Sequence, residues 1–460
     1  NVSAAGPIGR MAKVTTKHVC QACGASFSKW VGKCTECGAW NTVSEEVVRD
    51  KPRGAAPASR AVPLSEVAAD EFARIPTGIG ELDRILGGGV VLGGVTLVGG
   101  DPGIGKSTLL LQALAGLASR KLKCLYVSGE ESAGQTAARA RRLGAHNDEL
   151  MLLADTQLES VEAAIEEHKP RAVVVDSVQT IRCAGLDSAA GTVSQLREVT
   201  SRIIDVAKKN GIAVLLVGHV TKDGTLAGPK VLEHLVDTVL AFEGERTHAL
   251  RTLRAQKNRF GSATEVGVFE MRAEGLREVP NPSALFLAER PRGAPGSVIA
   301  ATCEGARALL VEVQALVGSM LLPSPRRTTN GVDGSRVAML VTVLERRAGL
   351  QMGGYDIFVN VAGGVRVDEP AIDLPVAIAL ASSFRGKPIR DDVVAFGEIG
   401  LAGEVRNASR ARARLAEAAA MGFKRAILPP MHAAGDHVEI PEGIEVKMVR
   451  TLAEALETAL

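Results

Sequence analysis

The sequence predicts a doubly wound α/β core, preceded by a small metal-stapled ribbon and followed by a separate α+β unit. Three observations carry this. Short apolar runs alternate with helical periodicity from about residue 64 to 280, two Cys-x-x-Cys pairs lie near the start, and the pattern changes character from about residue 283. Residues 1–10, ahead of Met11, read as a cloning remnant, 11–45 as the ribbon, 46–63 as a linker rich in Ala, Pro and Arg, 64–280 as the core and 283–460 as the last domain.

Composition narrows the class. The chain has 460 residues and a formal net charge of +2, so any contact with nucleic acid must come from local basic patches. Aromatics make up 3%, which argues against extensive base stacking. No apolar run approaches the roughly 20 residues of a membrane span, and no secretory signal is recognisable. Of seven cysteines, four form the two pairs while Cys124, Cys183 and Cys303 stand alone. That suits a reducing cytoplasm with one metal site.

The two pairs, Cys20 with Cys23 and Cys34 with Cys37, are separated by ten residues. Four thiolates in two knuckles are the donor set of a structural Zn²⁺ site. A unit so small needs the metal for most of its folding energy, about 10–16 kcal/mol in comparable peptides. A redox Cys-x-x-Cys would open a helix in a βαβ unit, and nothing here resembles one. Trp30 and Trp40 are expected to pack over the ribbon rather than stack on bases.

The core is organised around Gly100-Asp101-Pro102-Gly103-Ile104-Gly105-Lys106-Ser107, which fits G-x-x-x-x-G-K-[ST] at every fixed position. Val95–Gly99 reads as a strand leading in, and Thr108–Ala115 as the helix leading out. Glycines let successive N–H groups turn toward a phosphate, and the helix N-terminus adds favourable partial charge. Lys106 is expected at the β/γ-phosphates and the Ser107 hydroxyl on Mg²⁺, with Thr108 beside it. The loop binds a nucleoside triphosphate, taken as ATP.

Further strands are expected at Lys123–Ser128, Ala172–Asp176, Ala213–Gly218 and Thr238–Phe242. Asp176 ends a fully apolar run, and a carboxylate there faces the phosphates and can hold Mg²⁺ through water. Ser128-Gly129-Glu130-Glu131-Ser132 closes the preceding strand at the same sheet edge. One of its carboxylates is placed to polarise the attacking water: Glu130, with Glu131 the alternative.

The stretch Thr77 to Gly89 (TGIGELDRILGGG), the phosphate loop, the Glu130 turn and Asp176-Ser177 together resemble the RecA-like recombination ATPases. With the four-cysteine ribbon in front and Lys257-Asn258-Arg259-Phe260-Gly261 behind, the resemblance narrows to the bacterial RadA (Sms) family of DNA-repair proteins. It covers essentially the whole chain from Met11. The resemblance implies a hexameric ring with ATP between subunits. Lys257 and Arg259 would then reach a neighbour's γ-phosphate as finger-type groups, worth about 10³–10⁵ in rate where such fingers are measured. The bare sequence is equally compatible with a solvated basic turn, and Phe260 with core or with an apolar latch. His219 falls where the family places a γ-phosphate sensor. Gln179–Ser194 and Thr221–Lys230 match its DNA-binding loops, with Arg182, Lys222 and Lys230 set against phosphates.

In the last domain, the stretches Gly349–Asn360, Ala371–Leu380, Gly397–Val405 and Arg425–Pro429 resemble the proteolytic domain of Lon proteases, a Ser–Lys hydrolase. The nucleophile position falls at Val376 and the lysine position at Arg412. A valine has no nucleophile and an arginine makes no general base, so proteolysis is not expected. A slip in alignment would make Ser382 or Ser383 the rival. Arg406, Arg410 and Arg414 recur every four residues, so on a helix they would share one face and could contact duplex phosphates, the alternatives being a solvated face or a contact with an acidic neighbouring subunit.

These readings converge on a cytoplasmic, DNA-dependent ATPase of recombination and repair. It would bind single-stranded or branched DNA, work beside a recombinase of the RecA type, and use hydrolysis for translocation or branch migration. The rival readings are a nucleotide-switched scaffold without motor activity and an ATP-dependent protease.

Overall fold

The computed structural model describes residues 14–49, 74–220, 226–227, 231–244, 250–319, 324–431 and 440–460. They divide into two compact units, one ending at Val279 and the other beginning at Pro280. Residues 1–10 lie outside the described residues. So does the expected linker from residue 50 on; its first residues, 46–49, instead continue a strand.

In the ribbon, β1 (Val14–Cys20) lies between β2 (Ser26–Phe27) and β3 (Val43–Arg49), antiparallel to both. Among the described residues its buried apolar side chains are Val19, Cys20, Cys34 and Val43, too few to hold a fold without a metal. The tryptophans do not supplement it. Trp30 is 59% and Trp40 68% exposed, which corrects the expectation that they pack over the ribbon. The reason is size: sheets this small offer no apolar face broad enough to cover an indole.

The core sheet is built from β4 (Val95–Gly100), β5 (Cys124–Ser128), β6 (Leu150–Leu153), β7 (Ala172–Asp176), β8 (Ala213–Val217) and β9 (Thr238–Glu243). These six are parallel, in the order β9-β4-β8-β7-β5-β6. Three antiparallel strands, β10 (Leu250–Asn258), β11 (Val266–Arg272) and β12 (Gly275–Glu278), extend the β9 edge to make nine. The five expected strands are present, each end within a residue of its predicted place; the parallel edge strand β6 and the antiparallel extension are additional. The β4 strand lies between two that form much later in the chain, so the crevice beyond its carboxyl end is a topological switch point.

Alternation along the strands builds two hydrophobic layers. Val98, Val174 and Leu215 face α1 (Lys106–Ala118), packing with Leu109, Leu110 and Leu114. Val95, Leu97, Val173 and Val175 face the other way, toward α3 (Leu158–His168) and α4 (Val193–Asn210). Between β5 and β6, α2 (Ala133–Arg142) opens with a complete capping box from Ser132 and Gln135.

The second unit carries a mixed sheet of seven strands. Two helices bear on the sequence expectations, α5 (Gly334–Ala348) and α6 (Asp373–Arg385), followed by the short α7 (Ala411–Ala420). Val376 is buried on α6, and Arg412 is exposed on α7. The Ser382 hydroxyl donates to the Lys387 carbonyl and accepts from the Gly296 amide, while Ser383 accepts from the Val317 amide. Both hydroxyls are engaged by the backbone.

The arginine stripe does not exist. Arg406 ends a two-residue strand, Arg410 has φ +60° just before α7 begins, and only Arg414 is helical. Arg414 is also fully buried, forking onto Glu369 at 2.7 and 2.6 Å, donating to the Ala301 and Ser409 carbonyls, and stacking over Phe396. It is therefore removed from the DNA-contact set. Arg406 is exposed and paired with Glu404, and Arg410 is exposed.

Candidate nucleotide site and its partners at the far sheet edge

The phosphate loop leaves β4 and enters α1 through backbone that only glycine supplies easily. Gly105, the residue before α1, has φ +119°, and a Cβ there would come within 2.7 Å of Met271. Beside Gly103, φ +79°, the space is open to 4 Å, which leaves room for phosphate oxygens. Lys106 is buried, and its Nζ donates to the carbonyls of Gly100 at 2.7 Å and Asp101 at 3.0 Å. Burial lowers its pKa below the ordinary lysine value, against the pull of Asp176, Glu130 and Asp101. A buried cation held only by carbonyls and distant carboxylates is ready to accept a polyphosphate.

Sheet register brings the two predicted acidic groups together. Ser128 pairs with Asp176 across β5 and β7, and the Gly129 amide donates to the Asp176 carbonyl at 2.8 Å. The turn that follows thus lies beside Asp176. Glu130 accepts from the Ser177 hydroxyl at 2.5 Å, whereas Glu131 is engaged by Arg139 of α2. The geometry separates the two candidates: Glu130 faces the Asp176–Ser177 end of β7. Asp176 is itself buried and accepts from the Tyr126 hydroxyl. Burial and the Asp176 charge raise the Tyr126 pKa far above the usual phenol range, so it remains a donor. A hydroxyl from Ser107 and a carboxylate from Asp176 are hard oxygen donors of the kind Mg²⁺ takes.

His219 begins a two-residue strand, and the preceding Gly218 amide donates to Val98 at 2.9 Å, so His219 follows at the edge where the loop begins. Its side chain lies outside the described residues.

Lys257 and Arg259 are elsewhere. Val239 pairs with Lys257 and with Leu97, and Thr238 pairs with Asn258 and with Thr96. The basic turn therefore lies level with the start of β4, while the phosphate loop leaves its end, roughly 17 Å away for six extended residues. Lys257 Nζ points further from the loop, donating to the carbonyls of Glu233, Val236 and His234. Arg259 is half exposed and bridges to Asp237 at 3.1 Å. Phe260 closes over Gly94, where a Cβ would meet its ring at 2.9 Å.

Of the expected DNA loops, residues 179–194 are braced by a buried side chain at their end, beside backbone bonds such as that from the Arg182 amide to the Thr156 carbonyl. Gln195 accepts from the Cys183 amide and donates to the carbonyls of Leu186 and Ser188. Arg182 is exposed, with its guanidinium on the Gln157 amide oxygen at 2.8 Å. Lys222 and Lys230 lie outside the described residues. Sequence reasoning missed Tyr126, Ser177, Gln195 and Asp237. Tyr126 alone gave a signal, as the one aromatic residue with a polar tip in an apolar strand.

In the ribbon, the Sγ atoms of Cys20, Cys23, Cys34 and Cys37 all lie within 4.8 Å of one another, with Cys20–Cys37 at 3.8 Å and Cys23–Cys34 at 3.5 Å. Tetrahedral Zn–S bonds of about 2.3 Å require edges of about 3.8 Å, so the thiolates fit zinc.

Comparison with known proteins fits each part. A family model of an AAA domain matches residues 61–225, one of a rubredoxin metal binding domain matches 18–45, and one of the ChlI subunit of Mg-chelatase matches 334–432. The DNA repair protein RadA of Bacillus subtilis is 50% identical over 98% of this chain and 100% of its own length. The chain belongs to the RadA family of DNA repair proteins. The RadA of Pseudomonas aeruginosa is 51% identical over 97% of this chain and 99% of its own, and that of Listeria monocytogenes 49% over 98% and 99%. Family membership makes the core that of a P-loop ATPase, with ATP, Mg²⁺ and Zn²⁺ as its cofactors. The second unit is ChlI- and Lon-like. No helix among the described residues is long and apolar enough to cross a membrane.

Proposed function

We propose that the chain is an ATP-driven motor of DNA recombination and repair in the cytoplasm. It binds single-stranded or branched DNA, assembles as a hexameric ring, works beside a recombinase of the RecA type, and uses hydrolysis to translocate or to drive branch migration. Its parts are a ribbon whose last strand runs to Arg49, an ATPase domain ending at Val279 and a proteolytically inactive domain from Pro280 on.

The phosphate loop with Lys106, Ser107 and Thr108 would bind ATP, Ser107 and Asp176 would hold Mg²⁺, which when bound would supply charge neutralisation at the phosphates, and Glu130 orients the attacking water. His219 reads the γ-phosphate. Arg182, Lys222, Lys230, Arg406 and Arg410 contact DNA phosphates, which position without reading sequence.

One observation carries the ring. Lys257 and Arg259 lie at the sheet edge opposite their own phosphate loop, so a role for them at a γ-phosphate requires a neighbour's. The test compares ATP turnover with and without single-stranded DNA in wild type, Lys106→Ala and Arg259→Ala. The motor reading expects DNA to stimulate turnover, both variants to lose it, and mixed variants to regain part of it. Turnover indifferent to DNA would favour the nucleotide-switched scaffold.

A further inference from the structure

The chain contains two tryptophans, and both stand exposed on the zinc ribbon. A small domain ordinarily hides its largest apolar side chains, so two open indoles on a ribbon with almost no core of its own require a reason. Their setting supplies one. Trp30 and Trp40 sit on the two arms of the hairpin whose loop carries Cys34 and Cys37: Lys33 bridges to Trp40, the Asn41 amide donates to the Gly32 carbonyl, and the Trp30 indole N–H donates to the Val43 carbonyl at 3.1 Å. The Trp30 ring lies over Gly32, where a Cβ would be 3.5 Å from it. Zinc would fix the hairpin loop, and these contacts fix the ring, so little side-chain entropy remains to be lost on binding.

We infer that this hairpin is a stacking platform for unpaired bases of single-stranded DNA, an inference that rests on the DNA reading above. Lys33 Nζ stands 5.4 Å from the centre of the Trp40 ring, so a cation accompanies an exposed π-face. Lys29 and Lys33 are both exposed beside the indoles. Aromatic faces with adjacent ammonium groups are what sequence-tolerant binding of single strands uses: the rings stack on bases and the lysines meet phosphates. A peptide groove needs contiguous apolar walls. Here the exposed neighbours are Lys29, Lys33, Glu36 and Asn41, and Trp30 and Trp40 are the only exposed large apolar side chains among the described ribbon residues. The low aromatic content of the whole chain does not weigh against this, because its two largest rings are gathered in one hairpin.

Since no other tryptophan exists, intrinsic tryptophan emission of the full-length protein reports on this hairpin alone. The experiment titrates zinc-loaded wild type with oligo(dT), reading tryptophan emission and, in parallel, anisotropy of end-labelled oligo(dT). Quenching that saturates with the anisotropy, and Trp40→Ala and Lys33→Gln variants that keep their zinc and basal ATP turnover while Kd rises about fivefold or more for Trp40→Ala, are the expected results. Binding by anisotropy with unchanged emission, or an unchanged Kd for Trp40→Ala, would overturn the platform while leaving the DNA reading intact. Absence of binding in both signals would remove the DNA reading itself and this inference with it.

Discussion

Asp237 holds Arg259 with one carboxylate oxygen and the first amide of the nucleotide-loop strand, Val95, with the other, each at 3.1 Å. Removing the carboxylate leaves a buried N–H without its acceptor, which costs about 1–3 kcal/mol. Asp237→Ala should therefore lower the thermal midpoint of the full-length protein, and Asp237→Asn, which keeps an acceptor, should lower it less. Calorimetry checks this, and equal losses would show that the Val95 bond is not the cause.

Glu130 and Glu131 should separate in kinetics. Glu130→Gln is expected to keep ATP binding and lose about 10²–10⁴ in turnover, as removal of a positioned acid–base group does. Glu131→Gln loosens only the contact with Arg139, and turnover should stay within a few-fold of wild type. Fluorescent-nucleotide binding and phosphate release measured side by side decide it.

Lys106 has its pKa lowered by burial, so in the nucleotide-free protein the folded chain binds its proton less well than the unfolded chain. That charge is a burden on stability at neutral pH, and the burden lifts as pH rises toward the ordinary lysine value of about 10.4. Nucleotide-free Lys106→Met should therefore be the more stable protein at pH 7, with the gap narrowing in the alkaline range. ATP should raise the midpoint of wild type and not of the variant. Melting curves across pH, with and without ATP, read both effects.

Arg414 should behave as a structural residue. Its guanidinium is fully buried against Glu369, and removing one partner of such a pair costs about 3–5 kcal/mol. Arg414→Ala should thus lower the melting temperature sharply. Reversing Arg406 and Arg410 to Glu should leave stability nearly unchanged and lower DNA affinity and its salt dependence. An unchanged salt slope would take both arginines off the DNA surface.

Chelating zinc should open the ribbon selectively. Limited proteolysis after chelation is expected to cut within residues 14–49 while the core persists, and added zinc should restore protection. A ribbon equally resistant without metal would contradict a metal-dependent fold.

The contrast between Lys106 and Arg414 explains what was legible in the sequence. Lys106 belongs to a local pattern, in which strand, glycine turn and helix follow one another within a few residues, so its place needed no tertiary information. Arg414 is defined by Glu369 and Phe396, distant in the chain, and spacing alone gave it a solvent-facing helix that the left-handed Arg410 forbids. Strands β4, β5, β7, β8 and β9 were readable because burial makes continuous apolar runs, whereas β6, a four-residue edge strand with its middle residues exposed, was not. β10 and β12 mix charged residues among their apolar ones, and the short buried run of β11, Val266–Phe269, follows a polar stretch with no helix between to mark it as part of the alternating pattern. Glu130 could be preferred over Glu131 only provisionally, since the Ser177 and Arg139 contacts that divide them arise from pairing between separate strands and helices.

The roughly 17 Å of strand between each chain's phosphate loop and its own basic turn has a consequence for dosage. On the proposed ring, with Lys257 and Arg259 serving a neighbour, a solitary chain would hold complementary halves of two different reaction centres and a whole one of neither. Specific activity should then depend on protein concentration, falling on dilution without any loss of fold. A subunit damaged at either edge would impair a healthy neighbour, so a minority of defective copies could silence a majority of sound ones.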